Sequence, residues 1–236
     1  MAYLSGEARA AYVRTMFGRI APRYDFMNVL LSGGRDRAWR RLAVREAALP
    51  PGGRLLDVAT GTGDVALEAL HQEPSSCVVG ADFTPEMMQL GRAKPGAAQV
   101  RWAGADALRL PFPDNAFDAV ISGFMLRNVS DVLAALTEQR RVVRPGGRVV
   151  CLEISHTPLP VFRELFRIYF YRLVPILGSL VGGDPEAYHY LPASLAVFLT
   201  AEELVERMRA VGLAQVRYRR LMLGTLALHV GIKALV

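Results

Sequence analysis

From residue 50 onward, short apolar runs alternate with longer stretches in which apolar residues recur at helical spacing. Each run has five to seven residues and is rich in Val, Ile, Leu and Ala, which predicts a buried strand. The stretches between them predict helices that begin near Asp64, Pro85 and Asp131. This alternation is typical of a parallel sheet covered by helices on both faces. The five predicted strands are 54–59, 77–82, 100–104, 117–122 and 148–154.

The two ends of the chain follow other patterns. Residues 1–49 predict an N-terminal helical cap, because Arg and Ala are dense there, with Pro22 and the Ser-Gly-Gly cluster at 32–34 as punctuation. Near the other end, 216–221 and 225–233 are strand-like and have hairpin spacing, which predicts a final antiparallel pair. We therefore expect an α/β fold in one domain, with a mostly parallel, seven-stranded sheet.

Residues 158–195 interrupt the alternation after the fifth strand. Between Phe162 and Leu177, large apolar residues recur at helical spacing while arginines fall on other faces, which predicts a basic amphipathic helix. The segment stays rich in aromatic residues toward its end. Core packing or a subunit interface explains such a stripe about as well as a lipid-facing surface, so both interpretations stay open.

Composition bounds the class of protein. The chain has 236 residues, of which 52% are hydrophobic, enough for one domain with a sizeable core. The formal net charge is +6, but the 28 basic residues are scattered, and all except Lys94 and Lys233 are arginines. We do not expect nucleic acid as a partner, because no basic groove carries interleaved stacking aromatics.

The cysteines and the N-terminal residues bear on disulfides, metal binding and location. Cys77 and Cys151 lie in apolar runs, which predicts small core residues rather than a disulfide. No Cys/His cluster has metal-ligand spacing, so we expect no metal. The first residues lack the apolar region of a signal peptide, and no segment reaches the roughly 18 uninterrupted apolar residues of a spanning helix. We expect a cytoplasmic protein. The sequence does not decide its oligomeric state, and a homodimer stays open.

The segment Leu-Leu-Asp-Val-Ala-Thr-Gly-Thr-Gly-Asp at 55–64 predicts a strand, a glycine turn and the start of a helix. Gly61 and Gly63 lack a Cβ, so the backbone can turn tightly and a ligand can approach closely. The spacing fits a dinucleotide loop, but Asp57 just before the turn disfavours a pyrophosphate by charge repulsion. S-adenosylmethionine (SAM) has an ammonium, a sulfonium and a ribose diol but no phosphate. The loop favours SAM over a nicotinamide, a flavin or a purely structural turn.

Further candidates follow the next strands, because ligands bind at the carboxyl ends of parallel strands. Asp82 ends the second strand, where its carboxylate can accept hydrogen bonds from a ribose diol. Asp106 and Ala107 follow the third strand and are candidates for contacting an adenine ring. Arg127 and Asn128 follow the fourth strand and can hold or polarise an oxygen beside the reacting atom. For each position, an ordinary capping, turn or surface role is the alternative.

With these residues in place, the chain resembles the ubiquinone/menaquinone biosynthesis C-methyltransferases, a class I SAM-dependent family. The likeness covers essentially the whole chain. Its most specific segments are Tyr-Asp-Phe-Met-Asn at 24–28, Leu-Arg-Asn at 126–128 and Tyr-His-Tyr-Leu at 188–191. The glycine loop and the Pro-Gly-Gly turn at 145–147 are shared by many methyltransferases. Asp36 departs from the family pattern, which usually has His at this position.

The resemblance implies SAM as the cofactor and a polyprenylated demethylnaphthoquinol as the substrate, methylated on a ring carbon in menaquinone biosynthesis. A benzoquinol, another small molecule or a non-catalytic SAM-binding scaffold are the alternatives. The polyprenyl tail resides in a bilayer, so we expect the amphipathic helix to make peripheral contact with the inner face of the membrane. With the loop residues included, the candidate cofactor-binding residues are Asp57, Gly61, Thr62, Gly63, Asp82, Phe83, Asp106, Ala107 and Ser122.

Ring methylation requires a nucleophilic carbon, which a quinol supplies when it loses a hydroxyl proton. We expect Arg127 to stabilise the developing oxyanion and Asn128 to fix the geometry, since a guanidinium is a donor and not a base. His189 is a candidate proton acceptor, although a lone His in an aromatic run is more often structural. The candidate catalytic and pocket-closing residues are Tyr24, Asp25, Arg127, Asn128, Tyr188, His189 and Tyr190.

Overall fold

The computed structural model describes residues 6–235, in which helices flank a central seven-stranded sheet. The strands are β1 Arg54–Val58, β2 Cys77–Asp82, β3 Arg101–Gly104, β4 Phe117–Gly123, β5 Val143–Ile154, β6 Leu213–Leu221 and β7 Leu226–Lys233. Their order across the sheet is β3-β2-β1-β4-β5-β7-β6. Strands β1 to β5 are parallel, and β7 is antiparallel to both β5 and β6. The predicted mostly parallel sheet with a C-terminal antiparallel pair is confirmed.

Two strands begin earlier than the pattern predicts. β5 begins at Val143 rather than at residue 148, because Val143 pairs with Phe117 before the register shifts. β6 begins at Leu213 rather than at residue 216, and a positive φ of 49° at Gln215 lies within its irregular pairing. The early residues lie outside the apolar runs that predict the strands: residues 144–147 are Arg, Pro, Gly and Gly, and residue 215 is Gln.

The helices are α1 Gly6–Ser32, α2 Asp36–Ala47, α3 Asp64–Gln72, α4 Pro85–Arg92, α5 Val132–Val142, α6 Pro160–Gly182, α7 Pro185–Ala196 and α8 Ala201–Ala210. α1 is one helix of 27 residues that continues through Pro22, where we expected an interruption. Pro22 is exposed, and buried Met16, Ile20 and Met27 hold one side of the helix on both sides of it. Tertiary packing of this apolar side outweighs the missing backbone hydrogen bond.

Three apolar clusters form the core. Two of them fill the faces of the sheet, and the third joins α1, α6 and α7. The third cluster reaches the sheet at Phe83 and Ile154, at the carboxyl ends of β2 and β5. These helices therefore cover the edge of the sheet where the loops after the strands lie. Cys77 and Cys151 are both free thiols, as predicted.

α6 contains two π-helical stretches, Tyr169–Leu173 and Gly178–Gly182. It has 23 residues, and an 18-residue window within it has a mean hydropathy of 1.3, so by length and composition it is long enough to cross a membrane. The expectation that no segment has about 18 uninterrupted apolar residues holds for this helix, because Arg163, Glu164, Arg167 and Arg172 interrupt it. Phe170 and Val174 pack into the third cluster, so one side of α6 belongs to the folded domain.

Candidate active site

The glycine loop lies between β1 and α3, near the centre of the sheet. Gly61 and Gly63 have φ angles of +56° and +80°, in the left-handed region that favours glycine. A Cβ on Gly63 would lie 2.5 Å from the ring of Trp102, so only glycine fits there. The Gly61 backbone N–H donates to Asp82 Oδ2 at 2.8 Å. This bond ties the loop after β1 to the end of β2.

Asp57 lies behind the loop rather than on the wall of a cavity. Its Oδ2 accepts hydrogen bonds from the Thr60 hydroxyl, at 2.5 Å, and from the Ala66 backbone N–H, at 3.2 Å. Burial raises the pKa of this carboxyl to about 7. The expected contact between Asp57 and a ligand is therefore replaced by contacts that hold the loop on the start of α3.

A cleft at the carboxyl ends of β1, β2 and β4 collects several of the predicted residues. Asp82 accepts the Gly61 and Thr84 N–H groups, each at 2.8 Å, and burial raises its pKa. A carboxylate has about four acceptor positions, so Asp82 can also accept a hydrogen bond from a ligand hydroxyl. Asp106 accepts the Leu108 N–H at 2.9 Å. The predicted residues on the wall of this cleft are Tyr24, Gly61, Asp82, Phe83, Asp106, Ala107 and Asn128.

Other predicted cofactor residues lie beside this cleft, not on its wall. The Thr62 hydroxyl donates to Asp25 Oδ1 at 2.6 Å. Ser122 is fully buried in β4, and its hydroxyl lies 3.4 Å from the Gln139 side-chain oxygen. Gly63 faces Trp102. These residues support the loop and the sheet beneath the cleft.

In the Leu-Arg-Asn turn, the side chains of Arg127 and Asn128 bond to the same backbone carbonyl but line different cavities. Arg127 Nη1 and Asn128 Nδ2 both donate to the Phe124 oxygen, at 2.8 and 3.0 Å. Asn128 lines the cleft, whereas Arg127 lines a second, larger cavity. Arg127 Nε and Asn128 Oδ1 are buried and have no hydrogen-bond partner within residues 6–235. Both atoms are buried polar groups that the described part of the chain leaves unpaired, and each belongs to a residue on the wall of a cavity.

The larger cavity has a volume of about 620 Å³. Its wall comes from α1, α2, α6, α7 and the segment between β6 and β7, and it is mostly apolar and aromatic. The charged side chains on it are Asp36, Arg40 and Arg127. Asp36 Oδ2 pairs with Arg40 at 2.5 Å, so this acid is compensated. Three residues line both cavities and therefore form the boundary between them: Phe17, Tyr24 and Phe124.

The remaining predicted catalytic residues separate into three environments. Tyr188 lines the larger cavity, and burial raises its pKa to about 12. Its ring fills the space beside Gly178, where a Cβ would lie only 2.1 Å away. His189 is exposed and is on the wall of neither cavity. Asp25 also lies outside both walls and pairs with Lys94 at 2.6 Å. The structure does not bring His189 or Asp25 to the ring-binding space.

Glu153 is a site residue that the sequence reasoning missed. It is the penultimate residue of β5 and is 1% exposed. Its Oε1 accepts the Leu126 backbone N–H at 2.6 Å, and its Oε2 lies 3.8 Å from Arg127 Nη1. Burial raises the pKa of Glu153 to about 7, and the nearby guanidinium opposes that shift. The available signal was an acid inside the apolar run Cys-Leu-Glu-Ile at 151–154.

The strand order, and two adjoining cavities at the carboxyl ends of the strands, define a methyltransferase fold of the SAM-dependent class. A SAM-dependent methyltransferase from Thermotoga maritima has this fold, with a TM-score of 0.65, 18% identity, and coverage of 93% of this chain and 98% of that one. The ubiE/COQ5 methyltransferase family model matches residues 5–233. The chain belongs to this family and is a methyltransferase.

Two relatives make the family assignment more specific. The demethylmenaquinone methyltransferase of Thermus thermophilus is 49% identical over 218 residues, which is 92% of this chain and 99% of the relative. The ubiquinone/menaquinone biosynthesis C-methyltransferase UbiE of Geobacter sp. strain M21 is 45% identical over 226 residues, which is 94% of this chain and 96% of the relative. Both likenesses extend over nearly the full length of the chains compared.

Proposed function

We propose that this protein transfers a methyl group from SAM to a ring carbon of a polyprenylated demethylnaphthoquinol, in menaquinone biosynthesis. The names of the relatives support this substrate. The observation that carries the proposal is the placement of Arg127, a buried guanidinium with an unpaired Nε within residues 6–235, among the residues that line a large apolar cavity adjoining the cleft. A fused ring and the start of an apolar tail suit that wall, and the guanidinium suits the oxygen of an ionising quinol.

The cleft fits SAM on the evidence of its own polar groups. Asp82 offers an acceptor for a ribose hydroxyl, and Asn128 lines the same cleft with its amide oxygen unpaired within residues 6–235. Phe83 and Ala107 supply apolar wall for an adenine ring. Bound SAM supplies an electrophilic methyl group. The absence of a phosphate suits a cleft whose principal charged groups are the carboxylates of Asp82 and Asp106.

The chain's own residues prepare the ring. Arg127 stabilises the anionic oxygen, which makes the neighbouring ring carbon nucleophilic. Glu153 lies behind Arg127 and holds the Leu126 backbone, so it orients the turn that carries the guanidinium. The aromatic wall excludes water from the ring, which strengthens the interaction between Arg127 and the oxyanion.

Incubation with methyl-labelled SAM and a reduced, prenylated demethylnaphthoquinol tests the reaction. We expect label on the naphthoquinol ring, and Arg127→Met to lower kcat by about 10²-fold or more, as loss of an oxyanion-stabilising donor does. Asp82→Ala tests the cofactor site, since it should weaken binding of S-adenosylhomocysteine (SAH) in calorimetry. Asp114→Ala is the control, because that aspartate is 68% exposed. Labelling of a benzoquinol alone, or of neither ring, would overturn the substrate proposal.

We also propose that the protein docks peripherally on an anionic lipid surface on the cytoplasmic side, with the mouth of the larger cavity facing it. Leu30 and Leu165 line that cavity, and their side chains are 40% and 58% exposed. The exposed apolar residues of α6 continue from this mouth: Val161, Leu165, Ile168, Tyr171, Leu173, Ile176 and Leu180. α6 carries three arginines against one glutamate, which favours an anionic surface.

Vesicle co-sedimentation tests the docking proposal. We expect binding to vesicles with anionic lipids, weaker binding to neutral vesicles, and a loss of about tenfold in Leu180→Glu. Leu235→Glu is the matched control, since Leu180 and Leu235 are 76% and 82% exposed but only Leu180 lies on α6. Equal binding by the two variants would contradict docking through α6. A dimer that buries α6 instead would appear as a doubled mass without vesicle binding.

A further inference from the structure

Tyr190 carries a buried hydroxyl that the fold does not use. The residue is 4% exposed and lines the larger cavity, yet its hydroxyl has no hydrogen-bond partner among residues 6–235. A buried hydroxyl left unpaired is costly, so such groups in native structures call for an explanation. Tyr169, on the wall of the same cavity, shows the usual arrangement, because its hydroxyl donates to the Leu31 oxygen at 2.6 Å.

The position of Tyr190 is fixed by its helix. Asp184 caps α7 by accepting the Ala187 N–H at 3.2 Å, and the same carboxylate pairs with Arg19 of α1 at 2.6 Å. The Tyr190 ring packs against the Tyr12 ring, with centroids 5.5 Å apart. The ring is therefore held from two sides, and its hydroxyl is held in place without a bond of its own. This is the state expected of a group preorganised for a ligand.

We infer that the Tyr190 hydroxyl binds the second oxygen of the quinol ring, the one that keeps its proton. A quinol has two oxygens, and two residues on the wall of this cavity, Arg127 and Tyr190, carry a buried polar atom that has no hydrogen-bond partner among residues 6–235. Arg127 can only donate, which suits the oxygen that becomes anionic. A tyrosine hydroxyl both donates and accepts, which suits an oxygen that remains a hydroxyl. This inference rests on the proposed function and assigns each ring oxygen its own partner.

Tyr190→Phe removes only the hydroxyl, and Tyr12→Phe is the matched control. The Tyr12 hydroxyl is also buried and unpartnered within the described chain, but Tyr12 is not on the cavity wall. We expect Tyr190→Phe to raise KM for the quinol about tenfold, as loss of about 1.4 kcal/mol does, with Tm not lowered. Tyr12→Phe should leave KM within about twofold of wild type. SAH affinity should be the same in all three proteins, which also reports that each is folded.

A prenylated naphthol that lacks the retained hydroxyl tests whether Tyr190 binds that oxygen directly or affects the cavity in general. If Tyr190 binds the retained hydroxyl of the quinol, Tyr190→Phe should change KM for the naphthol less than twofold, because the interaction is already absent. An unchanged KM for the quinol, an equal loss with quinol and naphthol, or an equal loss in Tyr12→Phe would each overturn the inference. A wild-type protein that methylates neither ring would instead overturn the proposed function.

Discussion

Glu153 and Arg127 form a buried pair whose atoms approach to 3.8 Å, just beyond a hydrogen bond. Glu153→Gln keeps an oxygen for the Leu126 N–H and removes the charge behind the guanidinium. We expect kcat to fall about tenfold with SAH affinity unchanged, because Arg127 loses its orienting partner. In the wild type, kcat should rise with pH as Glu153 ionises at about 7, and the variant should lack that step. A variant that keeps the wild-type pH profile would contradict this positioning role.

Asp57 makes a prediction about stability. Its pKa is raised from an ordinary value of 3.8 to about 7, so between these values the unfolded chain has released a proton that the folded protein still binds. Unfolding is therefore favoured as pH rises through this window, by up to about 4 kcal/mol at roughly 1.4 kcal/mol per pKa unit. The Asp57→Asn variant has no ionisable group at this position, so its free energy of unfolding should not fall in this way. The difference between variant and wild type should therefore shift in favour of the variant from pH 4 to pH 7. Urea unfolding at several pH values measures it.

The control for that experiment is Asp114→Asn, since Asp114 is 68% exposed. Its stability relative to wild type should stay nearly constant over the same pH range. If Asp57→Asn also shows a constant difference, burial of an ionisable Asp57 does not shape the pH dependence of stability.

At the residue scale, the sequence predicts the positions of those site residues whose placement depends only on the succession of strands. Gly61, Asp82 and Asp106 follow successive strands of a parallel sheet, so their meeting at one edge follows from the pattern. The bond between Thr62 and Asp25 joins residues 37 apart in sequence, and it depends on the path of α1. No periodicity encodes that path, which is why the sequence assigned these two residues to cofactor and substrate instead of to each other.

At the element scale, α1 is fastened to the cofactor loop by charge. Lys94 Nζ pairs with Asp25 of α1 at 2.6 Å and with Asp64 at the start of α3 at 2.5 Å. We expect Lys94→Met to speed hydrogen exchange in α1 and weaken SAH binding a few-fold. The loss of stability should be below about 1 kcal/mol, because these side chains are partly exposed.

Lys94→Arg is the control for this fastening, since it keeps the positive charge and should restore most of the exchange protection. High salt should reduce the difference between Lys94→Met and wild type, because partly exposed ion pairs are screened. Unchanged exchange in α1 after Lys94→Met would show that apolar packing alone holds the helix.

Elements differ in how far their own sequence determines them. The apolar runs predicted β1, β2 and β4 nearly to the residue, because buried parallel strands are apolar throughout. α1 was predicted to be interrupted at Pro22, since the local signal of a proline is independent of what the helix packs against. Whether α6 faces lipid or core was open from the sequence, and the structure shows that Phe170 packs inside while Ile168 is exposed.

At the scale of the whole molecule, the two cavities share Phe17, Tyr24 and Phe124, so a ligand in one fixes part of the wall of the other. Such coupling is reciprocal. We expect saturating demethylnaphthoquinone, which lacks the reactive hydroxyls, to lower the Kd of SAH about fivefold, and SAH to lower the Kd of the quinone by the same factor. Tyr24→Ala should abolish this coupling, whereas Phe26→Ala should preserve it, because Phe26 is on the same helix but 58% exposed. Calorimetric titration of each ligand with and without the other measures both factors. Equal SAH affinities in the presence and absence of the quinone would mean that the shared wall is rigid, and that the cavities bind their ligands independently.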